Sequence, residues 1–142
     1  MERKQIPIVV AVIKNKEGKL LVAKRNEPEI PEAHNKWEFI GGHIEFLETP
    51  EDAVIREVKE ESGLEVKIIR LLPKIFNNHW VTKNGKELQV LLICFECEVV
   101  GGQLHTESLD AKISELKFID ISELKNLDTL HLTNETAELL NT

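Results

Sequence analysis

Between Thr49 and Gly63 the chain carries full instructions for one helix, and no other stretch constrains the fold as tightly. Thr49 suits the N-cap, where a hydroxyl accepts from an orphan amide of the first turn. Pro50 suits the first helical position, where no amide hydrogen is needed, and Asp52 stands where a capping box places its acid. Gly63 supplies the left-handed residue that ends a helix. At roughly 100° per residue, Glu57, Glu60 and Glu61 share one arc with Ala53, while Val54, Ile55 and Val58 cover the adjacent one. The expected helix presses Val54, Ile55 and Val58 into a core and holds a row of carboxylates at the core's edge.

That row is unfavourable as it stands. Glu57 opposes Glu61 at i,i+4 and Glu60 at i,i+3, each pair costing about 0.2–0.5 kcal/mol. Glu60 and Glu61 also lie near the helix C-terminus, where the backbone dipole disfavours anions. The whole chain already has a formal net charge of -7. One reading is a solvated acidic face. The other is a site for a hard divalent cation, because carboxylates, a backbone carbonyl and water are the ligands Mg²⁺ or Mn²⁺ takes, commonly beside substrate phosphates. Gly41 and Gly42, just upstream, allow the backbone to come close and offer the carbonyl. A cation would also explain how an acidic chain binds an anion. With no basic stripe or Lys/Arg block, polymeric nucleic acid is not the expected partner.

Around this helix the pattern is mainly strand. IPIVVAVI (Ile6 to Ile13) and LLVAK (Leu20 to Lys24), joined by NKEGK, read as a hairpin. RNEPEIPEAHNK reads as a loop, and WEFIGG as a short strand ending on the glycine pair. VKIIRLL and Lys74 to Val81 read as strands divided by Pro73, and the Asn-Gly of KNGK turns the chain into the long strand LQVLLICFECEVV. ELKFIDI closes the strands, and SELKNL and NETAELL read as short helical stretches. The expected fold class is α+β, a mixed β-sheet in an α-β-α sandwich, as a single domain over residues 1–142.

Nothing approaches the ~20 apolar residues of a membrane span, and the apolar run near the N-terminus reads as a strand, so no membrane association and a cytoplasmic location are expected. Cys94 and Cys97 form a C-x-x-C motif inside a strand. Residues three apart on a strand face opposite ways, so the thiols should diverge as ordinary core residues and form no disulfide. His34 and His79 read as surface loop residues.

From Gly42 to Leu64 the sequence is GHIEFLETPEDAVIREVKEESGL, and this resembles the signature of the Nudix hydrolases, G-x5-E-x7-R-E-U-x-E-E-x-G-U with U bulky and aliphatic. Gly42, Glu48, Arg56, Glu57, Val58, Glu60, Glu61, Gly63 and Leu64 fill all nine specified positions. The resemblance implies the Nudix fold and cleavage of a nucleoside diphosphate linked to a further group X, by water attacking phosphorus with Mg²⁺ or Mn²⁺ bound. It implies metal ligation by Glu57, Glu60 and Glu61 with the Gly41 carbonyl. It assigns Arg56 to orienting a catalytic carboxylate and Glu48 to supporting the metal shell. The general base stays open between Glu57 or Glu60 on the helix, which are favoured, and Glu96, Glu98, Glu107 or Glu115. Two departures bear on loop shape: Ile40 stands where the family usually has proline, and Phe46-Leu47 where it commonly has glycine.

Outside the signature the chain looks like the MutT-like branch, which hydrolyses nucleoside triphosphates to monophosphate and pyrophosphate, including oxidised nucleotides. LLVAKR places a phosphate contact on Arg25, HNKWEFIGG puts Trp37, Glu38 and Phe39 near the base, and TNETAELL makes Asn134 a base reader. His43 is placed to touch phosphate. Each has a plainer reading: a strand-end cation for Arg25, core for Trp37 and Phe39, a helix cap for Asn134, an exposed ring for His43. The ADP-ribose branch characteristically carries a proline further downstream than Pro73, and the dinucleoside-polyphosphate branch a tyrosine, which this chain lacks. These absences favour nucleoside triphosphates over ADP-ribose or nucleotide sugars. A Nudix module that senses a nucleotide without cutting it is the alternative of another class, although such modules usually lose the carboxylates retained here. The expected partner is a small-molecule nucleotide, and members of the family are often homodimers.

Overall fold

The computed structural model describes residues 2–105 and 111–142. Its strands are β1 (Arg3–Lys14), β2 (Leu20–Arg25), β3 (Trp37–Glu38), β4 (Ile40–His43), β5 (Leu64–Val81), β6 (Glu87–Gly102) and β7 (Ile113–Ile119), with helices α1 (Pro50–Ser62) and α2 (Thr133–Glu138). The main path through the sheet is β3-β2-β1-β6-β5, with β4 added on β1 and β7 on β2. Short 3-10 turns at Ile121–Asn126 and Leu139–Asn141 flank α2.

The hairpin expected from β1 and β2 is corrected. Its turn forms, but the two strands pair only at Lys14↔Leu20. β1 instead lies parallel to β6 along its whole length, from Arg3↔Glu87 to Lys14↔Glu98, and takes β4 from Ile8↔His43 to Ala11↔Ile40. With those neighbours in place, β2 turns away to β7 and β3. The division at Pro73 is also corrected. β5 runs unbroken from Leu64 to Val81, and the residue without an amide hydrogen is absorbed where the pairing register slips between Leu71 and Ile75.

Both faces of the sheet are covered, as a sandwich requires. Val9, Ala11, Ile13, Phe95 and Cys97 pack with Ala53, Val54 and Val58 of α1. Val12, Cys94, Phe76 and Trp37 pack on the other face with Leu124 and Ala137 of the C-terminal segment. Cys94 and Cys97 thus sit on opposite faces, and burial pushes their thiols up to about 11 and about 12, with the Glu96 charge adding to the shift at Cys97. No described helix is long and apolar enough to cross a membrane.

α1 has the expected ends. Thr49 Oγ1 accepts from Asp52 N at 3.1 Å, and Gly63 closes the helix at φ 81. Its buried side differs from the expected one. Ala53, Val54, Val58, Glu61 and Ser62 are buried, whereas Ile55 is 41% exposed. The helix is rolled so that the sheet receives the arc shared by Ala53 and Glu61. This carries Glu61, at 8% exposure, and Glu57 toward the protein interior.

A candidate active site at the mouth of a half-apolar cleft

β4 sets the site. Because Gly41 pairs with Val10 and Gly42 with Val9, the glycine pair is pinned against β1 directly beneath α1. A methyl group on Gly42 would stand 2.3 Å from Glu57 Cδ, so the absence of a side chain there is what lets the Glu57 carboxylate lie over the strand. A methyl on Gly41 would meet Val9 O, also at 2.3 Å. Ile40 pairs with Ala11 and is buried, so the position where the family usually has proline serves here as a strand residue. The turn before α1 takes a left-handed conformation at Leu47, φ 68, which glycine would adopt more easily.

Arg56 organises the carboxylates. Nε donates to Glu48 Oε2 and Nη2 to Glu48 Oε1, both at 2.8 Å, forming a two-pronged bond. Nη1 reaches Glu57 Oε1 at 3.0 Å and Glu60 Oε2 at 3.2 Å, and Nη2 also donates to the His43 carbonyl at 3.1 Å. Glu48 is held further by the Glu45 amide at 3.0 Å. Hydrogen bonding from Arg56, then that amide, takes the Glu48 carboxyl down to about 2, and the same Glu48 bond raises Arg56 above its usual value. Among the described residues no three His, Cys, Asp or Glu side chains converge on one point. Glu57 and Glu60 are each turned to Arg56 by a single bond, whereas Glu48 holds the fork.

The donor set nevertheless fits a hard divalent cation. Glu57, Glu60 and Glu61 are oxygen donors within little more than one helical turn, and all three line the same cleft beside Gly41 and Gly42. That cleft, of about 690 Å³, continues from the carboxylates onto the even-numbered residues of β1 and β6, including Ile6, Ile8, Leu88 and Val90. Arg25, Glu38, Phe39 and Trp80 also line it.

Several expected residues therefore meet here: Arg25, Glu38, Phe39, Gly41, His43, Arg56, Glu57, Glu60 and Glu61 all line the cleft. Others do not. Trp37 is core, with Lys117 Nζ 4.6 Å from its ring centroid, and its backbone bonds to Asp128 and Leu130. Asn134 Nδ2 donates to Thr129 Oγ1 at 3.0 Å, away from the cleft wall, although Leu132, Thr133 and Thr136 of the same segment line it. Of the other base candidates, Glu96 is tied to Lys14 and Arg70, Glu98 to Lys67, and Glu115 is exposed on β7; Glu107 lies outside the described residues. His34 is half-buried and accepts from Glu27 N, and His79 is on β5 rather than in a loop.

Sequence reasoning missed Asn78, Trp80 and Lys86 as cleft residues. The alternation Phe76, Asn78, Trp80 did mark one strand face, but which face met the cleft depended on β6.

The fold and site together define a mixed-sheet domain whose glycine-pinned acidic helix, ordered by one arginine, opens on a cleft with an apolar floor. The NUDIX domain family model matches residues 4–139, and the chain belongs to that family. It is 39% identical over 74 residues to an 8-oxo-dGTP diphosphatase of Escherichia coli strain K12, covering 51% of this chain and 54% of that protein. It is 36% identical over 121 residues to an ADP-ribose pyrophosphatase of Methanocaldococcus jannaschii, covering 84% of this chain and 65% of that one. The chain thus spans less than two thirds of either relative's own length. A MutT NUDIX hydrolase from Burkholderia pseudomallei shares the fold, with TM-score 0.76 at 22% identity over 96% of this chain and 98% of that one.

Proposed function

We propose that this domain is a pyrophosphohydrolase that cleaves a nucleoside diphosphate linked to a further group X, using Mg²⁺ or Mn²⁺. Its preferred substrate class is a nucleoside or deoxynucleoside triphosphate, released as monophosphate and pyrophosphate, with oxidised nucleotides included. The observation that carries this reading is the row of Glu57, Glu60 and Glu61 lining one cleft of about 690 Å³ together with apolar residues such as Ile6, Ile8, Leu88 and Val90, so that a single space offers both anionic and apolar walls.

Glu57, Glu60 and Glu61 would hold the cation together with the Gly41 carbonyl. When bound, it supplies charge neutralisation for the phosphates and a lowered pKa for attacking water. Arg56 keeps Glu57 and Glu60 at fixed places on the helix face, and Glu48 fixes Arg56 through the fork. In the reaction one water adds to phosphorus, one P–O anhydride bond breaks, and the water's proton passes to a helix carboxylate, Glu57 or Glu60. His43, at the end of β4, lines the cleft and would contact phosphate.

The test is a panel of canonical and oxidised triphosphates, ADP-ribose, nucleotide sugars and dinucleoside polyphosphates with Mg²⁺, products identified. Turnover of triphosphates to monophosphate and pyrophosphate is expected. Binding without turnover of any of them would favour a sensing module instead. A second reading, ADP-ribose cleavage, is supported by the relative with that activity in its name, which aligns with 84% of this chain.

A further inference from the structure

Glu96 takes no part in the chemistry proposed above, yet it is a carboxylate with only 8% exposure on the central strand β6. Burial works against its charge, but hydrogen bonds from Arg70 and Lys14 outweigh burial and hold the carboxyl below the usual carboxylate value. Lys14 Nζ lies 3.1 Å from Oε2, and Arg70 Nε donates to Oε1 at 2.9 Å. Arg70 stands directly opposite Glu96 in the β5–β6 ladder, so both side chains leave the same face of the sheet.

With Nε fixed in this way, the other two nitrogens of Arg70 reach the C-terminal segment. Nη2 donates to Leu139 O at 3.3 Å and to Leu140 O at 3.2 Å, and Nη1 donates to Thr142 Oγ1 at 3.3 Å. A cation suits carbonyls at the C-terminal end of a helix. The segment has a second attachment further upstream. Trp37 N donates to Asp128 O at 2.9 Å, and Leu130 N donates to Trp37 O at 2.8 Å. Between the two attachments, Leu132, Thr133 and Thr136 line the cleft. α2, within this stretch, has six residues, too few to hold a helix in water unaided. Leu132 is kept at a left-handed φ of 78, which persists in a leucine only where the surroundings enforce it. Leu124 and Ala137 are buried against the sheet as well, so losing one attachment should loosen the stretch without releasing the whole segment.

We propose that Arg70, seated on Glu96, is a positioning residue that ties down the far end of this stretch and so fixes the wall that Leu132, Thr133 and Thr136 give the cleft. Its hold on the wall is independent of the reaction, and its effect on substrate rests on the hydrolase reading above. A wall in place for only part of the time weakens apparent binding by that fraction. Arg56, Glu57 and Glu60 belong to another element and keep their geometry. Loss of Arg70 should therefore raise KM and spare kcat.

The experiment compares Arg70→Met and Arg70→Lys with the wild type by hydrogen exchange resolved along the chain, and by initial rates on dGTP with Mg²⁺. In Arg70→Met the amides of residues 130–140 should exchange at least about tenfold faster, with those of α1 unchanged. KM should rise about tenfold, with kcat within about twofold of wild type. Arg70→Lys keeps a cation for Glu96 but has one nitrogen to share among the acceptors, so it should fall between the two in both readouts. Unchanged exchange over residues 130–140 in Arg70→Met overturns the proposal; should that variant not fold, unchanged exchange in Arg70→Lys does so. A rise spread evenly over α1 and the C-terminal stretch overturns it too, because that is the mark of a general loss of stability. So does an unchanged KM. Binding of dGTP without cleavage would end the hydrolase reading, and the exchange result, with the dGTP dissociation constant in place of KM, would still decide this one. Hydrolysis with exchange unaltered would do the reverse.

Discussion

Gly41 and Gly42 are neighbours in one strand, yet adding a methyl group to each should damage different properties. At Gly42 the new carbon would lie 2.3 Å from Glu57 Cδ and 2.4 and 2.5 Å from its two oxygens, all side-chain atoms. Ordinary carbon contacts begin near 3.5 Å, so the carboxylate must retreat by about 1 Å. A misplacement of that size in an active site costs on the order of 10²-fold in rate, equivalent to about 2.7 kcal/mol of barrier. Stability should stay within about 1 kcal/mol, because alanine also lowers the entropy of the unfolded chain. At Gly41 the methyl meets Val9 O, a backbone atom of the strand that pairs with both β4 and β6, so the sheet itself must shift. Overpacking of this kind costs about 1–3 kcal/mol. At roughly 2.1 cal/mol/K per residue, a chain of 142 residues should lose about 3 to 10 °C in Tm. The assay is initial rate against triphosphate with Mg²⁺, with thermal unfolding measured on the same preparations. Gly42→Ala retaining activity within about threefold, or losing as much Tm as Gly41→Ala, would refute the reasoning.

Further outcomes follow from the same geometry. Glu60→Gln should lower kcat by about 10²-fold or more with Tm unchanged, because it removes one of the proposed cation ligands and only one single-pronged contact to Arg56; near-normal rates with Mg²⁺ would sink the ligand assignment. Arg56→Lys cannot bridge Glu48 with two prongs while also reaching Glu57 and Glu60, so kcat should fall about 10-fold or more while circular dichroism is unchanged. The Glu48 carboxyl is depressed from 4.5 to about 2, so its contribution to stability is complete above about pH 4.5 and is lost as pH falls toward 2. Urea unfolding should therefore show Glu48→Gln destabilised at pH 6, with the gap to wild type closing by pH 2.5; a gap that persists unchanged would contradict the ion pair. Cys94 and Cys97, buried and with raised thiol pKa values, should resist alkylation at pH 8 until the chain is unfolded, which counting modified thiols by mass spectrometry will check.

What could be read from the sequence was local. The caps of α1 depend on Thr49, Pro50 and Gly63 alone, and the structure has them. Opposite faces for Cys94 and Cys97 follow from strand alternation, and each thiol joins a different core cluster. Partner choice was not local. The parallel ladder from Arg3↔Glu87 joins residues distant in sequence, and nothing in the periodicity of β1 distinguishes β6 from the nearer β2. The same limit hid the cleft. Glu38 read correctly as a strand residue and Arg25, read as the first residue of the following loop, ends β2 instead, but their mutual bond depends on the β2–β3 register. Trp80 became a cleft wall only through β5 and β6 pairing. Asn134 sits in a helical stretch that sequence did identify, and its side chain is spent on Thr129 because of how the preceding segment folds back.

The slip of register at Pro73 has a consequence for the molecule in crowded solution. β5 ends the main path through the sheet, and Ile69, Leu71 and Ile75 stand exposed along it. A straight, flat, apolar edge of that length would be a template for another chain to zip onto. The proline withholds one amide, and the irregularity on either side of it breaks the edge into shorter pieces flanked by Arg70 and Lys74. The feature that looked like a strand boundary thus leaves an interrupted row of edge donors on a strand that no described strand covers, and sheet edges interrupted in this way resist the addition of a further strand.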